Sequence, residues 1–195
     1  MDERLISSVP DDATSVVFVE GMSDRVALET LAKRRGIALR AQGISIVHLD
    51  GATNIGHFLD LFGPHGLDVR LAGLCDAAEE SYFRRALERA GVGSPLSRAD
   101  MEALGFYVCG ADLEEELIRA LGVAAVERVI QAQGEIRSLR VFQKMHVWQG
   151  QSPEQQLHRF MGTRSGRKSL YARLLVSALD LTRVPRPLDR VLAHL

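Results

Sequence analysis

Short apolar runs alternate with helical patterns through the first part of the chain. Ser15–Val19 (SVVFV) is continuous and β-branched, the pattern of a strand buried on both faces. Met22–Gly36 then spaces Val26, Leu28 and Leu31 at helical intervals. This predicts a helix capped by Ser23 or Asp24 and stopped by Gly36. Further strands are expected at Ile44–Leu49, Val69–Cys75 and Phe106–Cys109, with helices over Asn54–Gly63, Glu79–Gly91 and Ser97–Gly105 between them. Asp112–Gly122 begins the next helix. The order β-α-β-α-β-α-β-α predicts an α/β fold with a mostly parallel four-stranded sheet flanked by helices.

From Gly122 onward the pattern is helical throughout. Val123–Gly134, Glu135–Trp148, Ser152–Gly162, Lys168–Leu179 and Pro187–Leu195 each carry an apolar stripe. Ser152-Pro153-Glu154-Gln155 supplies a cap, a proline at the first position and a glutamine placed for a capping box. The expected organisation is an α/β domain over residues 1–121 and a C-terminal helical extension over residues 122–195 packed on it.

The polar positions add chemistry. Glu20 directly follows the first strand, Asp50 the second and Asp76 the third; Asp112 and Glu114 follow the fourth. In a parallel sheet the carboxyl ends of the strands share one edge, where ligands bind, so these carboxylates should converge. Clustered carboxylates raise one another's pKa, a conflict that a divalent cation removes. All-oxygen sites suit Mg²⁺ or Mn²⁺, and two such ions can clamp the oxygens of a phosphodiester. Bland readings stand beside this one. Asp112-Leu-Glu-Glu-Glu also fits a plain helix start with acids on the dipole, and Asp50-Gly51 reads as a turn and is left out of the site.

Composition narrows the partners. The 195 residues are 46% hydrophobic and 25% charged, with a formal net charge of -1. Any nucleic-acid contact must therefore come from a local patch. The segment from Gln151 to Leu195 offers one: Arg159, Arg164, Arg167, Lys168, Arg173, Arg183, Arg186 and Arg190 against only Glu154, Asp180 and Asp189. Arg164, Arg167 and Lys168 are the candidates for phosphate contact; a solvated helical face is the plain alternative. Cys75 and Cys109 are read as reduced, buried thiols of a cytoplasmic protein. The acidic, polar N-terminal stretch lacks a secretory pattern, and no apolar run approaches the roughly 18 residues needed to span a membrane. The histidines at 48, 57, 65, 146, 158 and 194 show no metal spacing and are read as structural or surface. Trp148, Phe142 and Phe160 are read as core. Gly162-Thr-Arg-Ser-Gly166-Arg-Lys168 has the wrong spacing for a phosphate-binding loop and follows a helix, not a strand.

These residues resemble a known family. Val16-Val-Phe-Val-Glu20-Gly21-Met-Ser-Asp24 resembles the first motif of TOPRIM domains. Gly110-Ala-Asp112-Leu-Glu114 and the later Lys168 are similar to the TOPRIM module of OLD-family (overcoming lysogenization defect) endonucleases. The resemblance, over about residues 14 to 180, implies a TOPRIM-like Rossmannoid fold and a metal-dependent nuclease acting on DNA or RNA. It implies that Glu20 and Asp24 bind one Mg²⁺ or Mn²⁺, that Asp76 lies between or beside two ions, and that Glu114 with Asp112 serves the second. Lys168 would stabilise charge on the scissile phosphate, with Glu20 the central catalytic carboxylate. The chain departs from the pattern where TOPRIM proteins carry Asp-x-Asp: here it reads Asp76-Ala77-Ala78, with Glu79 or Glu80 the available substitutes, Glu80 being preferred. OLD proteins mostly carry an ATPase domain ahead of the TOPRIM module. The 195 residues leave no room for one, so a separately encoded ATPase is an expected partner. The alternative to a nuclease is a catalytically weak or inactive module that binds nucleic acid or that ATPase.

Overall fold

The computed structural model describes residues 9, 10 and 12–195; most of the N-terminal stretch read as non-secretory lies outside them. Four strands, β1 (Ser15–Val19), β2 (Ile44–His48), β3 (Arg70–Cys75) and β4 (Phe106–Val108), form one sheet in the order β2-β1-β3-β4. Every neighbouring pair is parallel, with Val19 level with His48 on one side and Leu74 on the other. β1 is central, and all five of its residues are buried. That is why its sequence is a continuous apolar run and not an alternation.

Alternate residues of β1 feed two cores. Val16 and Phe18 join the cluster made by α2 (Ile55–Phe62), α3 (Glu80–Arg89) and α4 (Arg98–Ala103), through Phe58, Phe62, Phe83 and Met101. Val17 and Val19 face the other way. There Leu28 and Leu31 of α1 (Met22–Arg34) meet Leu117 of α5 (Leu113–Leu121), Ile130 of α6 (Val123–Ala132) and Leu139 of α7 (Ile136–Gln143). The same cluster takes in Leu157 of α8 (Pro153–Met161), Leu175 of α9 (Arg167–Ala178) and Val191 of α10 (Arg186–Ala193). A fully buried side chain of this size contributes about 1.5–3 kcal/mol, so the late helices and the sheet face they cover hold each other in place.

The structure moves some element ends. The first helix is capped by Gly21, not by Ser23 or Asp24. Asp24 sits in the first turn and accepts the Gly21 N–H at 2.9 Å. Leu49, Val69 and Cys109 fall just outside their strands. The pattern expected as one helix over Glu135–Trp148 is α7 followed by a separate 3₁₀ turn at His146–Trp148. Trp148 then stacks on Phe142, with ring centroids 5.0 Å apart. Ser152 and Gln155 exchange both bonds of the capping box, at 3.2 and 3.0 Å. Asp50 (φ 52°) and Gly51 (φ 121°) make a tight turn beyond β2. Among the described residues no helix is long and apolar enough to cross a membrane, and Cys75 and Cys109 are free and buried.

Candidate metal centre

The site grows from the carboxyl ends of β1 and β3. Glu20 is the first residue past β1, and its Oε1 accepts the backbone N–H of Asp76, the first residue past β3, at 2.6 Å. One hydrogen bond thus fixes the exits of two adjacent strands. Asp24, one turn into α1, is held by the Gly21 amide at the same edge. Asp112 caps α5: its Oδ1 accepts the Glu115 N–H at 2.9 Å, and its Oδ2 lies 2.5 Å from His158 Nε2 on α8. The helix-start reading of Asp112 is therefore correct as geometry, and it does not remove the residue from the cluster. Lys168, on the first turn of α9, places Nζ 3.5 Å from Glu114 Oε2.

The electrostatics show how tightly these groups are set. Burial, the charge of Glu114 and that of Glu20 raise Asp24 to about 7, against the pull of the Gly21 amide and Lys168. Burial, then the charges of Glu20, Asp24, Asp112 and Glu114, raise Asp76 to about 8. Glu20 is raised by burial and by Glu79, with the Asp76 amide and Lys168 opposing. For Asp112 burial acts upward, but His158 and the Glu115 amide outweigh it and the group is lowered. For Lys168 burial acts downward, and Glu114 and Asp112 outweigh it. Net negative charge, incompletely neutralised by one lysine and one histidine, is the condition that attracts a divalent cation.

Glu114 carries the sharpest sign. It is 3% exposed, and its Oε1 is buried with no hydrogen-bond partner. An orphaned carboxylate oxygen in low dielectric is costly, and native structures rarely leave one without a function. Asp112, Glu114 and His158 each offer a ligand atom, all within 4.8 Å of one another. The donor set fits a small divalent cation. A cavity of about 670 Å³ opens beside the Asp112–His158 pair, lined also by Ala111, Arg119, Ser152 and Gln155.

Other candidates go elsewhere. Glu80 is held by Arg98 in an ion pair, and it is Glu79 that Glu20 senses. Glu80, preferred from the sequence as the replacement for the carboxylate missing at Ala78, is instead engaged by Arg98. Arg167 turns inward. It is 5% exposed, donates to Thr163 Oγ1 at 2.7 Å, to the Phe160 carbonyl at 3.2 Å and to Glu135 at 2.6 Å, and stacks over the Phe160 ring. It is a structural cation, corrected from the phosphate-contact reading. Arg164 stays exposed, with Glu135 at 4.0 Å. His158, read from the sequence as structural or surface, stands in the cluster. Its only sequence signal was helical position: it lies on the α8 stripe one residue after core Leu157, and nothing local pairs it with Asp112.

A wholly parallel β2-β1-β3-β4 sheet with acids past β1, β3 and β4 defines a TOPRIM-type domain. Residues 13–77 match the family described as overcoming lysogenization defect protein-like, TOPRIM domain, so the first three strands and their helices are similar to that domain. The fold is similar to that of the C-terminal region of the Xanthomonas campestris pv. campestris OLD protein. One structure of it gives a TM-score of 0.72 at 22% identity over 95% of both chains. A second gives 0.73 at 24% identity over 93% of this chain and 91% of that one. The C-terminal region of the Burkholderia pseudomallei OLD protein gives 0.70 at 22% identity, covering 93% and 96%. No curated protein matches the sequence. Glu20, Asp24 and Asp76 lie inside the matched stretch; Asp112, Glu114, His158 and Lys168 lie beyond it.

Proposed function

We propose that this protein is a divalent-metal-dependent nuclease that hydrolyses phosphodiester bonds of DNA at the acidic edge of its sheet. The observation that carries the reading is the buried, unpartnered Oε1 of Glu114 beside the raised carboxyls of Asp24 and Asp76. Glu20, Asp24, Asp76, Asp112 and Glu114 would hold the cation or cations, Mg²⁺ or Mn²⁺. When bound, such an ion supplies Lewis acidity toward a phosphoryl oxygen and eases the ionisation of water at neutral pH. The side chains do the rest. Glu20 has one oxygen tied to the Asp76 amide, so its other oxygen would serve the cation and, through it, the attacking water. Lys168 reaches the cluster from α9 with half of its side chain exposed, placed to bind the phosphate and stabilise charge as the bond breaks. Arg164 is exposed and would supply a further phosphate contact.

The test is cleavage of plasmid and linear DNA with Mg²⁺ or Mn²⁺. Cleavage that disappears in Glu20→Gln supports the mechanism, and an active Glu20→Gln protein contradicts it. Ala78, where the second strand-three aspartate is missing, favours a second reading: a module that binds nucleic acid or a separate ATPase without cutting. That reading predicts DNA binding with no cleavage under any metal.

A further inference from the structure

We infer that His158 is a nitrogen ligand of the bound cation, joining Asp112 and Glu114 in a mixed oxygen–nitrogen site. The inference deepens the proposed function and rests on the acidic edge being a metal site.

The geometry comes from elements far apart in sequence. Asp112 and Glu114 start α5, and His158 projects from α8. Asp112 is fixed through Oδ1 by the Glu115 amide, so Oδ2 is the oxygen presented to His158. Glu114 is 3% exposed and its Oε1 has no partner. That oxygen is an independent sign of a missing ligand, because the hydrogen bonds of the cluster do not reach it. The three donor atoms fit within 4.8 Å. Ligands on opposite sides of an ion at bond lengths near 2.1 Å stand about 4.2 Å apart. A small side-chain rotation that opens the Asp112–His158 contact therefore admits an ion between them. The His158 side chain is 36% exposed and borders the adjoining cavity, so an ion has an entry path.

An imidazole changes which ion is preferred. Mg²⁺ favours all-oxygen surroundings and holds its water, whereas imidazole nitrogen suits first-row transition ions. The site should therefore favour Mn²⁺ over Mg²⁺.

Electron spin-echo spectroscopy of the full chain loaded with stoichiometric Mn²⁺ tests this directly, because a coordinated imidazole modulates the echo through its nitrogen nucleus. Nitrogen modulation should be present in the wild type and in His194→Gln, and lost in His158→Gln, with Mn²⁺ still bound. Calorimetry should show Mn²⁺ affinity falling about tenfold in His158→Gln, the lower end of the range for losing a group that supports a metal, while Mg²⁺ affinity stays constant. Bound Mn²⁺ without nitrogen modulation, or modulation that persists in His158→Gln, overturns the role of His158 and leaves the acidic site standing. Failure of the wild type to bind Mn²⁺ overturns both. The wild-type spectrum decides even if the variant folds poorly.

Discussion

Glu20 and Asp24 are four residues apart and reach one edge by different devices. Glu20 ends a buried strand, and Asp24 closes the first turn of a helix onto Gly21. The resemblance alone implied a place at that edge for Asp24, whose local reading was a helix cap, whereas the apolar run before Glu20 made its placement legible. The same holds for Asp76, which follows an apolar run. Each residue carries its own expectation. Lys168→Ala should lower the cleavage rate by about 10²–10³, in line with removing one fixed stabiliser of developing charge, while circular dichroism stays unchanged. The raised aspartates give a pH prediction. A folded value above the unfolded one near 3.8 means that the native state holds protons that the unfolded state has released. Stability from Asp24 and Asp76 is then full below about pH 4 and lost as pH rises through about 7 and about 8. Thermal melts of the metal-free protein should show the melting temperature falling between pH 5 and 8.5 on this account, and added Mn²⁺ should restore it most at the high end, where proton release is complete. A melting temperature that climbs over this interval runs against the cluster.

At the scale of elements, the segment joining α8 to α9 is the instructive case. Arg167 and Lys168 are adjacent cations, and the sequence offered both for phosphate contact, with the resemblance singling out Lys168 for the scissile phosphate. Helical geometry separates them: Arg167 enters the core to meet Glu135, and Lys168 faces the carboxylates. Glu135 accepts from Arg167 and from the Tyr171 hydroxyl, each at 2.6 Å. This network anchors the start of α9 and so aims Lys168. Arg167→Ala should cost about 2–3 kcal/mol in denaturant unfolding, below the range for a fully buried pair because Glu135 is 23% exposed. Cleavage by the folded fraction should fall as well, since α9 loses its anchor. The cap of α8 gives a smaller effect: Ser152→Ala should cost about 1 kcal/mol by the same measurement. Cap residues and strand cores were readable because their causes lie within a few residues. The pairing of Asp112 with His158 and of Glu80 with Arg98 depends on how distant elements pack, and no local pattern encodes that.

At the scale of the molecule, the two faces of the sheet are unequal. One is covered by α2, α3 and α4. The other faces the larger core, which takes in α1 and every helix from α5 to α10, and those late helices also deliver His158 and Lys168 to the strand edge. The parallel topology was legible from the alternation of elements, whereas the route of the C-terminal helices over the α1 face was not, since their stripes say only that one side is buried. Truncation after Gly122 should expose the surface of Leu28, Leu31 and Val17 that those helices cover. The shortened chain should lose cooperative thermal unfolding, which a melt followed by circular dichroism would report; a cooperative transition near that of the full chain would contradict the shared core.

The central claim is that the carboxylates past β1, β3 and β4 form one divalent-metal site. Calorimetric titration of Mn²⁺ into the full chain, repeated with Asp76→Asn and Glu114→Gln, tests it most directly. The account predicts saturable binding in the wild type and a marked loss in each variant with the fold intact. Equal binding by all three proteins, or none in the wild type, would contradict it.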